Sequence, residues 1–563
     1  MSAVARLAVA SASMLAATGC LQVQKDLPPR PVAAVSGATT GGTITVGIAA
    51  PISIDPALVS PADPSGSLVV RTMCDSLMST DPVTGELRPD IASSVLVGGD
   101  GTILTVRLRR GVRFTDGSAL TAADVAAALT RVARPEVASA NAPMLRHVFG
   151  YQQLQDDEDK ARGHLPGVAA IDPRTVQIGL TTSDSGFVRT LASTVAVPIP
   201  RRDARDTGFG AFSRQPVCVG PYRLSSPWRP GDSTITLVRA TSYDGGNPGL
   251  TRAGRGWLDR IIFRLYPNAQ AAYDAYVRGE VDVAQVPASS ADVASRRIGS
   301  ALLRAADATL GYVGLPTTVA PFDDPVVRRA LSMTIDRSAI VGGVYHGGRT
   351  AAQGLYPPVV GDDIWTGDAC GGAAPLTPNV AGARALLGAR LAGLRRTTWP
   401  LYYDDEFANR ALVTAVATQW HRGLGLNFRL VPLSFTDYLP KAVHAPGFDG
   451  PFRLSYASAS SSASDYVADL LTSASVDSSN ATRFVDRNVE QLFTHEASTH
   501  SGGSASPLWR SIEQRFCAQL PLIPVTFNDQ VWAWRSSVGA AGGRQLDRVT
   551  GLPLLRESYR RAG

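Results

Sequence analysis

Residues 104–132 read LTVRLRRGVRFTDGSALTAADVAAALTRV, and the fold turns on this stretch. Leu104, Val106 and Leu108 point one way and Arg107 and Arg109 the other, the period of a half-buried strand. Gly111 breaks that strand. Phe114-Thr-Asp116-Gly117-Ser then predicts a turn, because Asp-Gly tolerates positive φ at little cost. Thr121-Ala-Ala-Asp124 has the form of a capping box, in which hydroxyl and carboxylate each satisfy a free amide at a helix start. Val125, Ala128, Leu129 and Val132 follow at helical spacing and predict one buried face. Strand, tight turn and capped helix form a common unit, which by itself specifies no function.

A chain of 563 residues is too long for one small core and predicts about two to four domains. Its 44% hydrophobic and 18% charged composition is that of a globular protein. The N-terminus differs: Arg6 precedes an apolar run from Leu7 to Ala17, followed by Thr18-Gly19-Cys20. That run falls short of the ~20 residues a membrane span needs and suits the core of a signal peptide. Small residues leading to Cys20 resemble a lipobox, which implies lipidation at Cys20 and a membrane anchor rather than a span. Residues 21–41, rich in Pro, Ala, Ser, Thr and Gly, predict a flexible tether.

The net charge of +6 does not mark a nucleic-acid binder. Only Lys25, Lys160 and Lys441 are lysines, and the arginines are scattered among 48 acids with no basic run of five. The acidic run Asp156–Asp159 predicts a solvated loop. Four cysteines remain after Cys20, and none sits in a CxxC pair, which argues against zinc or redox chemistry. In an oxidising compartment they permit two disulfides with three connectivities; Cys74–Cys218 with Cys370–Cys517 is preferred, and free buried thiols are the alternative.

Further elements follow along the chain. Gly42–Ile48 is the first strand and leads into Ile54-Asp55-Pro56; Val69–Leu77 predicts a helix; Leu258–Arg264 alternates as a strand. A helix ends at Gly279, and a strand begins after it. Asp324 and Pro325 begin a helix whose Val327, Ala330, Leu331, Thr334 and Ile335 share a face. Helices are expected over 381–391 and 408–424, with a strand over Trp399–Asp404 between them.

The wording of these stretches is informative. LRRGVRFTDGSALTAADVAAALTR resembles a signature of the extracytoplasmic solute-binding proteins of family 5, which include oligopeptide-, dipeptide- and nickel-binding components of ABC importers. PVCVGPY (216–222), NAQAAYDAYVRGEVDVAQVP (268–287), PFDDPVVRRALSMTIDRSAIVGGVYHGGRTAAQGLYPP (321–358) and LWRSIEQRFCAQLPLIPVTF (508–527) resemble further family segments in unbroken order. The resemblance implies an α/β, two-lobed periplasmic-binding-protein fold with an additional small domain. The resemblance implies a division with 42–72, 208–283 and 505–563 in lobe I, 73–207 in the small domain and 284–504 in lobe II, the strand after Gly279 crossing between lobes.

Inspection excludes several enzyme classes. No lysine follows a glycine or stands three after a serine, and neither GxSxG nor HExxH occurs. The seven histidines show no spacing suited to a metal, and Asp404-Asp405-Glu406 predicts a loop at a strand end. No catalysis, cofactor or metal is therefore expected; the remaining chemistry is binding. The resemblance implies that two lobes close over a peptide or peptide-like solute and deliver it to an ABC permease, as a monomer held by its lipid anchor.

By gapless comparison with the family's ADY segment, Tyr456 takes the usual Trp position and Arg453 the arginine that can hold a carboxylate. Ala459 stands where the family places the aspartate that meets an α-amine. Either Asp465 substitutes by a shifted loop, or the ligand lacks a free amine there, in keeping with a serine-rich rim of Ser458, Ser460, Ser461 and Ser462. Tyr402, Tyr403, Trp228 and Tyr456 are candidate pocket walls, since amphipathic rings suit clefts. The departure at Ala459, and that at Ala240 where the family segment resembled by LVRATSYDGGNP (237–248) usually has Asn, keep a second reading open: a lipoprotein of the same fold acting in envelope regulation through protein contacts.

Overall fold

The computed structural model describes residues 38–39, 41–60, 63–98, 101–156, 163–184, 186–208, 210–243, 256–360, 370, 376–405, 407–458, 462–498, 507–541 and 543–561. Cys20 with its leader, most of the tether, acids 157–159 and Ser460 lie outside them. Among the described residues no helix is long and apolar enough to cross a membrane.

The opening stretch folds as its pattern dictates. Strand Ile103–Leu108 buries Leu104, Val106 and Leu108, and Gly117 takes φ +90° in the turn. Helix Ala122–Ala133 begins where the Asp124 carboxylate accepts from the Thr121 amide at 2.8 Å and the Thr121 hydroxyl at 2.6 Å. Strand and helix share one core with the antiparallel sheet Ala92–Gly98, Ile103–Leu108, Thr175–Gly179 and Val168–Asp172, in that spatial order. This is the small domain.

A second sheet runs through both remaining lobes. Its central strand Thr43–Ala49 lies parallel to Arg260–Tyr266 on one side and Val283–Gln285 on the other. Ile44, Val46 and Ile48 are fully buried against Ile261, Phe263 and Val283 in the core of lobe I. Two long strands, Leu302–Gly314 and Leu522–Trp534, then pair antiparallel and carry the sheet into lobe II. Leu303 and Ala305 pack on the lobe I core, whereas Leu310, Tyr312 and Val313 belong to lobe II. The register shifts between Ala306 and Leu310, so the crossing is an irregular joint in an otherwise continuous ladder.

Several expectations are corrected here. The strand after Gly279 stays with lobe I, because Val283 and Ala284 pair with Val46 and Gly47; the crossing comes at 306–310. Residues 505–563 divide. Helix Pro507–Gln519 and the first half of Leu522–Trp534 fill lobe II cores, and Trp532 and Trp534 fill that of lobe I. The helix expected over 69–77 runs from Pro64 to Met73, since Asp63 caps it by accepting from the Gly66 amide at 3.0 Å and Pro64 suits its first turn. The helix expected over 381–391 is two, Val380–Leu387 and Arg390–Leu394, interrupted at Gly388 with φ +50°.

Two disulfides join Cys74 to Cys218 and Cys370 to Cys517. The first closes the base of the small domain, where the chain leaves and re-enters lobe I.

Helix Pro507–Gln519 buries Glu513 beside Trp509, Ile512 and Phe516, where its carboxylate accepts from the Leu355 amide at 3.0 Å. Burial pushes its pKa up to about 7. A raised carboxyl pKa favours the neutral form in the fold. The stabilisation is full below the unfolded value, near 4.5, and is lost as pH rises through about 7. Glu513→Gln is therefore expected to flatten stability against pH between 4.5 and 7. Above pH 7 it should add on the order of 2–4 kcal/mol, read by urea unfolding at pH 5 and pH 8. An unchanged difference between the two pH values would refute it.

Candidate ligand-binding cleft

At the joint between lobes lies a half-open cavity of about 70 Å³ whose wall draws on both lobes and the small domain. Ser67 and Arg71 come from helix Pro64–Met73, Thr550 from the C-terminal segment, and Ser193 and Thr194 from the small domain. Asp307 and Gln530 come from the crossing strands, and Ser458 from the end of strand Phe452–Ala457. The register break places Asp307 here: with the ladder interrupted, its carboxylate accepts from the Thr309 amide at 2.9 Å and the Gln530 side chain at 2.8 Å. Burial pushes its pKa up to about 6, against these hydrogen bonds.

The expected site residues divide into three groups. Ser458 lines the cavity; its hydroxyl donates to Asp465 at 2.6 Å and its amide to the Ala308 carbonyl at 3.0 Å. Asp465 stands in the first turn of helix Ala463–Leu471, where its charge acts on Arg146 and Arg189 of the small domain. Tyr456 lies beside them, its hydroxyl donating to Asp469 at 2.6 Å. Arg453 lies three residues further back along the same strand. It is 9% exposed, faces Asp404 at 3.7 Å, and its Nε has no hydrogen-bond partner.

The aromatic walls are corrected. Tyr402 and Tyr403 alternate on strand Thr398–Asp404, so their rings enter opposite cores of lobe II. Tyr402 stacks on Phe448 at 4.6 Å and donates to Asp449 at 2.6 Å. Trp228 packs in the lobe I core. None of the three is in the cavity wall. Arg71, Asp307 and Gln530 were missed. They come from three distant stretches with no shared motif; the one local signal is a charge inside an apolar run, Arg71 after Leu68-Val69-Val70 and Asp307 within a strand.

The small domain and lobe II meet across the mouth. Arg146 Nη1 stands 2.5 Å from Asp469 Oδ1, whose other oxygen accepts from Tyr456. Burial works against the Arg146 charge, but Asp469, with Asp465 and Asp184, holds its pKa above the ordinary value. Arg146→Ala is expected to shift the balance toward the open form by about 1 kcal/mol, roughly fivefold, and less at high salt. A larger radius of gyration in small-angle scattering would register it; an unchanged radius at low salt would contradict it.

Two lobes on paired crossing strands, a third domain and a cavity of mixed polar and apolar lining where all three meet are the architecture of a two-lobed binding protein. The family model for bacterial extracellular solute-binding proteins, family 5 (middle region), matches residues 86–478, and the chain belongs to that family of ABC-importer solute-binding proteins, which are extracytoplasmic and are not enzymes. It is 26% identical over 495 residues to the probable deoxycholate-binding periplasmic protein YgiS of Escherichia coli K12, spanning 87% of this chain and 88% of that protein. The fold is similar to that of the Escherichia coli murein tripeptide binding protein MppA, with TM-score 0.72 and 20% identity over 94% of this chain and 100% of that one. It is also similar to Haemophilus influenzae OppA in complex with RPPGFSPFR, with TM-score 0.72 and 18% identity over 93% of this chain and 100% of that one.

Proposed function

We propose that this protein is a membrane-tethered receptor that captures a peptide or peptide-like solute between its lobes and hands it to an ABC permease. The observation that carries this reading is the cavity at the joint, whose wall is shared by both lobes and the small domain. A ligand touching all three stabilises the closed form by its differential affinity for it. Relatives described as binding a murein tripeptide, or solved with the peptide RPPGFSPFR, support a peptide as the solute. The short apolar leader ending in Thr18-Gly19-Cys20 supports lipid anchoring at Cys20, with the protein acting as a monomer beside its permease.

Native mass spectrometry of the soluble form, lacking the leader and Cys20 and purified gently from its own host, tests the reading. A co-purified peptide-sized mass that is lost on unfolding is expected. A protein that is empty, and whose melting temperature no peptide library moves, would overturn it in favour of a lipoprotein acting through protein contacts.

A further inference from the structure

Arg71 is the arginine in the cavity wall, and it has no partner there. It projects from a helix whose neighbouring Leu68, Val69, Val70 and Met73 are all buried in the lobe I core. Among the described residues it makes no hydrogen bond through its side chain and no ion pair. The charges around it are already engaged. Asp307 accepts from Thr309 and Gln530, and Arg556 is paired with Asp75. Asp547, which acts on Arg71 through space, has Oδ1 taken by the Val549 and Thr550 amides and the Thr550 hydroxyl. Burial lowers the Arg71 pKa, Asp547 opposes this, and the like charge of Arg556 adds to it. The guanidinium is half-buried and meets the space of the cavity without a hydrogen-bonded counter-ion, which leaves its donors available to a ligand that enters there.

We propose that Arg71 receives the carboxylate of the captured solute, so that the cleft selects small molecules bearing a carboxylate. This rests on the reading of the cavity as the solute site. The planar fork of a guanidinium matches a carboxylate with two parallel hydrogen bonds. Ser67, Ser458 and Thr550 bring hydroxyls to the same wall, and Gln530 an amide. The Asp307 carboxyl faces the same small space. It tolerates a monoanion already neutralised by Arg71 but repels a dianion such as a phosphate ester.

The test uses an equimolar tri- and tetrapeptide library built without Asp or Glu, once with free C-termini and once amidated. Each is equilibrated by dialysis with the mature protein and quantified by mass spectrometry. The wild type is expected to retain free acids at least about tenfold over amides, the scale of one charge-assisted bidentate contact. Arg71→Gln should bring the ratio close to one, and Arg71→Lys should keep the preference while weakening retention. Equal retention of both libraries by the wild type, or an undiminished preference in Arg71→Gln, overturns the proposal while leaving the peptide reading intact. Retention of neither library by the wild type overturns both. If Arg71→Gln shows no cooperative melting, the acid-to-amide ratio of the wild type decides.

Discussion

Asp55→Asn is expected to destabilise the protein by about 3–5 kcal/mol, the largest effect of any single substitution considered. Asp55 follows the first strand and is fully buried. Arg131, on helix Ala122–Ala133 of the small domain, meets it with Nη1 on Oδ1 at 2.8 Å and Nη2 on Oδ2 at 2.6 Å. The Ser213 hydroxyl donates to Oδ2 at 2.6 Å and the Ala57 amide to Oδ1 at 3.0 Å. The third arm of Arg131, Nε, donates to the Asp206 carbonyl at 2.6 Å. Two charges removed from water are tolerable because each carboxylate oxygen accepts twice and the guanidinium donates through all three of its nitrogens. The asparagine leaves a buried guanidinium with one anionic partner fewer and turns an N–H toward one of its own donors.

Arg131→Met should cost a similar amount by stranding the carboxylate. The double variant should lose less than the sum of the two, since it buries neither charge alone. Urea unfolding of the four proteins reads the cycle. A loss below about 1 kcal/mol for Asp55→Asn would show that water reaches the pair, contrary to its burial.

Removing the disulfide Cys74–Cys218 is expected to cost about 2–5 kcal/mol. The bond spans a sequence separation of 144 and ties together the two strands of chain on which the small domain is inserted into lobe I. In the unfolded protein so long a loop carries a large closure entropy, which the cross-link removes; that is the chain-entropy part of its effect. Cys74→Ala with Cys218→Ala should also let the small domain unfold before the lobes. Calorimetry would show one transition dividing into two, and a single transition at the original temperature would contradict the expectation. Cys370–Cys517, with a separation of 147, ties the segment at residue 370 to helix Pro507–Gln519 inside lobe II, where the same substitution should lower stability without dividing the transition.

The first strand, the capped helix after Asp116-Gly117 and the helix that begins at Asp324-Pro325 were legible because each is decided locally. Alternation marks a half-buried strand, a carboxylate three residues into a helix holds its start, and proline suits a first turn. The family wording added two lobes and a small domain on the same local evidence. The lobe boundary was not legible. The strands Leu302–Gly314 and Leu522–Trp534 carry apolar residues on both sides of the polar positions Asp307 and Asn528-Asp529-Gln530, and nothing in their own sequence says that one half packs in lobe I and the other in lobe II.

The cleft was still less so. Alternation on a strand tells that Tyr402 and Tyr403 face opposite ways, but not that both faces are core. Ser458 lines the cavity and donates to Asp465, and the two lie in one short segment that the family wording singles out. Arg71, Asp307 and Gln530 meet in one wall only after hundreds of residues have been folded between them. Local propensity and short-range pattern alone determined which elements this chain makes. Which of their side chains share a cavity, and that Arg71 reaches it without a partner, was decided by long-range packing, whose register no single stretch encodes.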